Sequence, residues 1–265
     1  MFRNVFVKSL RDQFRGLIGW GIGVTLLVIV EVALWPSVRD IPDLEEFLSS
    51  YPEAMRDLFN IEAITTGAGF LNVELFSIIL PAVFLIFAIG RGARLVAGEE
   101  RAGTLEVLLT TPVPRVHMLL EKAAALAVSV LVLGIVLFAA TATSSTLGSM
   151  DIAIGDLAGA AAAMVLLGIE HGWLALAVGA ATGRPAVSIA VAGSAAVAGY
   201  LLYALGAFVD AVEPWRVVSP FHQALEGGPI GAGLPASYAW MGALAAVVLV
   251  ASLPVFDRRD VAISR

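Results

Sequence analysis

The sequence predicts an all-α, polytopic membrane protein with six transmembrane helices. An amphipathic interface helix opens the chain, and a second short amphipathic helix lies in its most basic loop. Three observations carry this reading. First, 59% of the 265 residues are hydrophobic and only 14% are charged, with a mean hydropathy of +0.90. A soluble chain of this length carries far more polar surface. Second, the apolar residues fall into runs long enough to cross a bilayer. Third, most of the 16 Lys and Arg residues fall in alternate interruptions between those runs, as in loops retained on the cytoplasmic side. The N-terminal segment holds Arg3, Lys8, Arg11 and Arg15; the segment 91–122 holds Arg91, Arg94, Arg101, Arg115 and Lys122; Arg184 stands alone; the tail holds Arg258, Arg259 and Arg265. Only Arg39, Arg56 and Arg216 fall in the intervening segments. Both termini are therefore expected inside, in a multi-pass protein of the cytoplasmic membrane.

In order, residues 1–16 alternate Phe2, Val5, Phe6, Leu10 and Phe14 with basic residues, the composition of a helix lying in the membrane interface. Residues 17–35 form the first span, about 28 Å long at ~1.5 Å per residue. Glu31 sits near its outer end, and Trp35 is expected in the aromatic belt. Residues 36–69 are external. They are expected to form two short amphipathic helices broken before Pro52, built on Leu44, Phe47 and Leu48, then Met55, Leu58 and Phe59.

The second span is about 70–90, with Pro81 near its middle as a predicted kink and Asn72 and Glu74 in its outer turns. Within the 91–122 segment, Leu105, Leu108 and Leu109 recur on one helix face. Glu99, Glu100, Arg101 and Glu106 are expected to keep the other sides wet. Gly103 breaks the chain before this turn, and Thr111 with Pro112 reads as the N-cap and first position of the next helix.

The third span, 123–147, ends in a hydroxyl cluster: Thr141, Thr143, Ser144, Ser145 and Thr146. Those hydroxyls are expected to bond their own backbone. The fourth span, 157–181, carries a small-residue face (Gly168, Gly172, Ala175, Gly179) that permits close helix contact. It also carries Glu170 and His171, the ionisable residues deep in a span. The fifth span is 186–209. Residues 210–236 form a second external segment with apolar stretches able to dip into the outer leaflet. The sixth span is 237–256.

The segment Ala97 to Arg115, AGEERAGTLEVLLTTPVPR, resembles the cytoplasmic signature of type-2 ABC exporter permeases. Glu99, Glu100, Gly103, Thr104, Leu105, Glu106, Leu108, Leu109, Pro112 and Arg115 fit it in order. The ending Phe256-Asp257-Arg258-Arg259-Asp260 is also similar to that family's, and the likeness extends over nearly the whole chain. The resemblance implies a permease subunit whose coupling helix docks on an ATP-binding cassette subunit. Its contact residues would be Glu99, Glu100, Arg101, Gly103, Thr104, Leu105, Glu106, Leu109 and Arg115. It further implies a second permease copy, or a similar chain, as partner.

No phosphate-binding Gly-x-x-x-x-Gly-Lys loop occurs. ATP and Mg are therefore expected on the partner subunit, with no cofactor in this chain. The absence of cysteine and the dispersal of His117, His171 and His222 exclude thiolate chemistry and match no metal spacing. A net charge of -6 does not suggest nucleic acid. Glu170, His171, Asn72 and Glu74 are the candidate substrate-path residues, and no catalytic residue is expected. Two other readings are a proton-coupled secondary carrier relaying through Glu170 or His171, and an intramembrane enzyme. The carrier lacks the internal repeat common in that class. The enzyme lacks a His-Glu-x-x-His motif.

Overall fold

The computed structural model describes residues 5–42, 64–105 and 113–260. The described residues form helices joined by short turns. Among the described residues five helices are long and apolar enough to cross a membrane, and one bent pair makes a sixth where it counts as one span.

Helix α1, Val5–Arg39, is continuous. The interface segment and the first span are thus a single rod, with no break near residue 16. Charged and apolar residues change abruptly there, but nothing in the backbone chemistry ends a helix. Trp35 is a correction: it is 3% exposed and packs on Phe70 with ring centres 5.4 Å apart, so it serves the core and not an interfacial belt. The two external helices expected between residues 43 and 63 lie outside the described residues.

The second span is broken. Helix α2, Gly67–Leu71, is capped by the Thr66 side chain, which accepts from the Gly69 N–H. A π-helical turn, Asn72–Phe76, follows, and helix α3, Ile79–Leu95, continues after a bend of 42°. Pro81 lies in the first turn of α3, where its ring would clash with the carbonyl four residues back, at Ser77. The interruption therefore sits just ahead of the proline, at 77–78, and not at the middle of the span.

A short helix α4, Ala97–Arg101, precedes a turn in which Gly103 has φ 70°. Leu105 is fully buried. Glu106, Leu108, Leu109, Thr111 and Pro112 lie outside the described residues. Helix α5, Arg115–Leu147, begins after Pro114, whose φ −57° and ψ 140° place it at the capping position. The helix thus starts at Arg115 and not at Pro112. Its terminal hydroxyls bond their own backbone as expected: Thr141 donates to Leu137 O at 2.9 Å and Thr146 to Ala142 O at 2.8 Å.

Helix α6, Ile154–Thr182, is the central post, packed by α3, α5, helix α7 (Pro185–Leu205) and helix α9 (Ser237–Arg258). Its small residues explain this. A Cβ at Gly168 would sit 3.0 Å from Val130 Cγ1, and one at Gly172 would sit 3.1 Å from Ala88 Cβ. Gly92 of α3 lies against the Gly172 carbonyl. Between α7 and α9 the chain makes a 3-10 turn, Glu213–Val218, and helix α8, Pro220–Leu225. Ser219 caps α8 by accepting from Phe221 N at 3.1 Å, and its hydroxyl donates to Gly199 O of α7 at 2.7 Å. Phe221, Ala224 and Leu225 are buried, so the segment between α7 and α9 folds back among the spans.

Candidate functional site

The N-terminus, the end of α3, α4, the start of α5 and the chain end converge in one charged node. Lys122 is fully buried and donates to Leu95 O at 2.6 Å and to Glu99 Oε2 at 2.5 Å. Glu99 also accepts from Lys8 of α1 at 2.8 Å, and Lys8 pairs with Asp12 at 3.0 Å. A buried ammonium is tolerated only when paired and hydrogen-bonded, so Glu99 is the anion that lets Lys122 sit inside.

Glu100 pairs with Arg259 beyond the end of α9. Arg259 also donates to Ala180 O at 2.7 Å, on the last turn of α6, where the carbonyls lack helical partners and favour a cation. Arg115 donates to Arg259 O at 2.6 Å. Gly183, with φ 68°, ends α6 beneath this pair, and a Cβ there would meet Arg259 Nη2 and Glu100 Oε2 at 2.6 Å.

The expectation that Glu99 and Glu100 face water is therefore corrected. Their side chains are 17% and 9% exposed, and the node's cations draw them inward. Arg101 and Thr104 remain exposed, with Thr104 Oγ1 donating to Glu99 O at 3.2 Å. Gly103 shapes the turn, Leu105 anchors it, and Arg115 fastens the tail.

The four candidate substrate-path residues have different surroundings. Glu170 is 7% exposed, and its Oε2 finds no partner among the described residues. His171 is bonded through Nδ1 to Leu167 O at 3.0 Å and meets the Phe221 ring edge-on at 6.0 Å. Asn72 is a staple: its Nδ2 donates to Ile230 O and its Oδ1 accepts from Ile230 N, both at 3.0 Å. It also borders a cavity of about 480 Å³ lined by Ser77, Tyr200, Tyr203, Arg216 and the 225–229 turn. The Arg216 guanidinium lies over the Tyr203 ring, 5.3 Å from its centre. Glu74 is half-buried, within electrostatic range of Glu31 of α1.

Sequence reasoning missed Lys8, Lys122 and Arg259 as node members. Their partners are 91, 23 and 159 residues away, so no local spacing announces them.

Apolar helices packed on a central post, with an ion-paired loop at one end, make an all-α polytopic membrane protein. The model of the ABC-2 family transporter proteins matches residues 3–261, and the chain belongs to that family. It is thus the membrane component of an ABC transporter and not itself the ATPase. No curated protein matches the chain significantly. Among the described residues no group of His, Cys, Asp or Glu could hold a metal ion.

Proposed function

We propose that the chain is the permease subunit of an ATP-driven exporter, pairing with a second permease copy and docking on separate ATP-binding subunits that carry ATP and Mg. In this reading both termini and the node lie in the cytoplasm of a cell-membrane protein, and the 91–122 segment is the coupling segment. The node carries the reading. A short loop that needed only to cross from one span to the next would not require a buried lysine and ion pairs to three other parts of the chain. Clamped at Glu99 and Glu100, the loop moves with α1, α5 and the tail as a body. Arg101, Thr104, Glu106 and Leu109 form the outer contact, while Glu99 and Glu100 hold that contact in place.

Affinity purification of the full chain from its own membranes tests this. An ATP-hydrolysing subunit is expected to co-elute, and Gly103→Pro or Glu106→Arg is expected to lower its recovery partially, as for rim contacts. Full recovery and undiminished ATP hydrolysis with both variants would refute the assignment. The carrier reading rests on one observation, the unpartnered Glu170 oxygen. Transport driven by a proton gradient in vesicles free of ATP would favour it.

A further inference from the structure

On the lateral face between α1 and α3 lies an apolar groove of about 600 Å³, lined by Gly16, Gly19, Trp20, Leu27, Ile79 and Val83 among others. Packing within the chain does not explain its emptiness. A Cβ at Gly19, Gly23 or Gly90 would meet nothing within 4 Å, so these glycines do not serve a helix contact inside the protomer. Gly16 is different: a Cβ there would run into the Arg91 guanidinium. That guanidinium therefore lies across the basic end of the groove, over the Phe87 ring with 5.7 Å to its centre, and Phe87 in turn meets Trp20 edge-on at 5.8 Å. Arg94 lies within electrostatic reach of Arg91. Neither guanidinium forms an ion pair with a described carboxylate.

We infer that this groove binds one anionic glycerophospholipid, with an acyl chain along Gly16–Leu27 and the phosphate at Arg91 and Arg94. Charge selects the occupant. Two neighbouring cations without an acid call for an anion, and the groove beyond them is apolar, so the ligand must be anionic at one end and hydrocarbon along its length. Size agrees. The rise from Gly16 to Leu27 at ~1.5 Å per residue is roughly 16 Å, about half of the ~30 Å hydrocarbon core, which is one leaflet.

The test is native mass spectrometry of the full purified chain incubated with equal amounts of dioleoyl phosphatidylglycerol and dioleoyl phosphatidylcholine. Phosphatidylglycerol adducts are expected to exceed phosphatidylcholine adducts by about fivefold for each guanidinium engaged. Arg91→Gln is expected to cut that preference by about fivefold, and Gly19→Leu/Gly23→Leu, which fills the groove, to remove both adducts. Equal retention of the two lipids by the unaltered chain overturns the inference. So does phosphatidylglycerol retained by the leucine pair, including the case in which that pair instead dissociates a dimer and so marks the groove as a seat for a second copy. If the leucine pair does not fold, Arg91→Gln decides alone: an undiminished preference overturns the inference.

Discussion

Lys122 illustrates how a single residue sets the chemistry around it. It is fully buried, and its charge is matched by Glu99 at 2.5 Å and the Leu95 carbonyl at 2.6 Å. Removing one partner of a buried pair leaves the other uncompensated, at a cost of about 3–5 kcal/mol. Glu99→Gln is therefore expected to lower the melting temperature sharply. Glu99→Gln combined with Lys122→Met, which removes both charges and keeps the volume, is expected to recover most of it. Thermal unfolding of the three proteins in detergent checks this, and a double variant no better than the single one would contradict the pairing. Glu170 presents the opposite case, since its Oε2 is buried without a described partner. Burying an ionisable group unpaired is unfavourable, so Glu170→Gln is expected to leave the melting temperature unchanged or raise it. If Glu170 lies on the solute path, the same variant changes substrate-stimulated ATPase activity; unchanged activity removes it from that path. The sequence marked Glu170 and His171 because charges inside an apolar run stand out. It hid the roles of Lys8 and Arg259, which look like ordinary topology-setting cations until the fold brings acids to them.

At the scale of the elements, periodicity and composition anticipated an all-α polytopic bundle, and the differences from the described helices lie at junctions. Residues 1–16 read as a separate helix because their composition differs from 17–35, yet composition does not break a helix, and α1 runs through. Pro81 announced a bend, and steric exclusion of the carbonyl four residues earlier moved it to 77–78. Glycine is equally ambiguous from sequence, because a turn, a contact and an open groove all use it. Gly183 and Gly193 separate these roles. Gly183 has φ 68° beneath the Glu100–Arg259 pair, whereas a Cβ at Gly193, inside α7, meets nothing. Gly183→Ala is expected to destabilise by at least ~1–2 kcal/mol through left-handed backbone strain alone. Gly193→Ala is expected to be neutral or to stabilise by up to ~1 kcal/mol. Paired melting curves distinguish the two, and equal shifts would mean that the end of α6 is not under this constraint.

For the whole molecule, most of the described basic residues, Arg39 and Arg216 apart, gather at the end of the bundle that carries the node, and both described chain ends lie there. The orientation is tested by single cysteines, for which the chain's own lack of cysteine is convenient. Cysteines at Ser49 and at the exposed Ala232 are expected to react with an impermeant reagent in intact cells, and cysteines at Gly103 and Ser264 are not. Reversed labelling would turn the molecule over. The bundle's outline was legible because lipid demands long apolar helices. The convergence of distant charges was not, and the dipping apolar stretches of 210–236 were legible without the spans they pack on, because each depends on which helix lies beside which, and single-sequence spacing does not encode neighbours.

The unbroken α1 has a mechanical meaning. From Lys8, held by Glu99, to Trp35, packed on Phe70, the rod is about 40 Å long at ~1.5 Å per residue. A stiff beam of that length magnifies rotation: tilting it by about 10° around one end swings the other by roughly 7 Å, the width of a solute. A chain with a hinge at residue 16 would lose that stroke in bending. The lever connects the loop that feels the node to the residues beside the break in the second span, on opposite faces of the membrane.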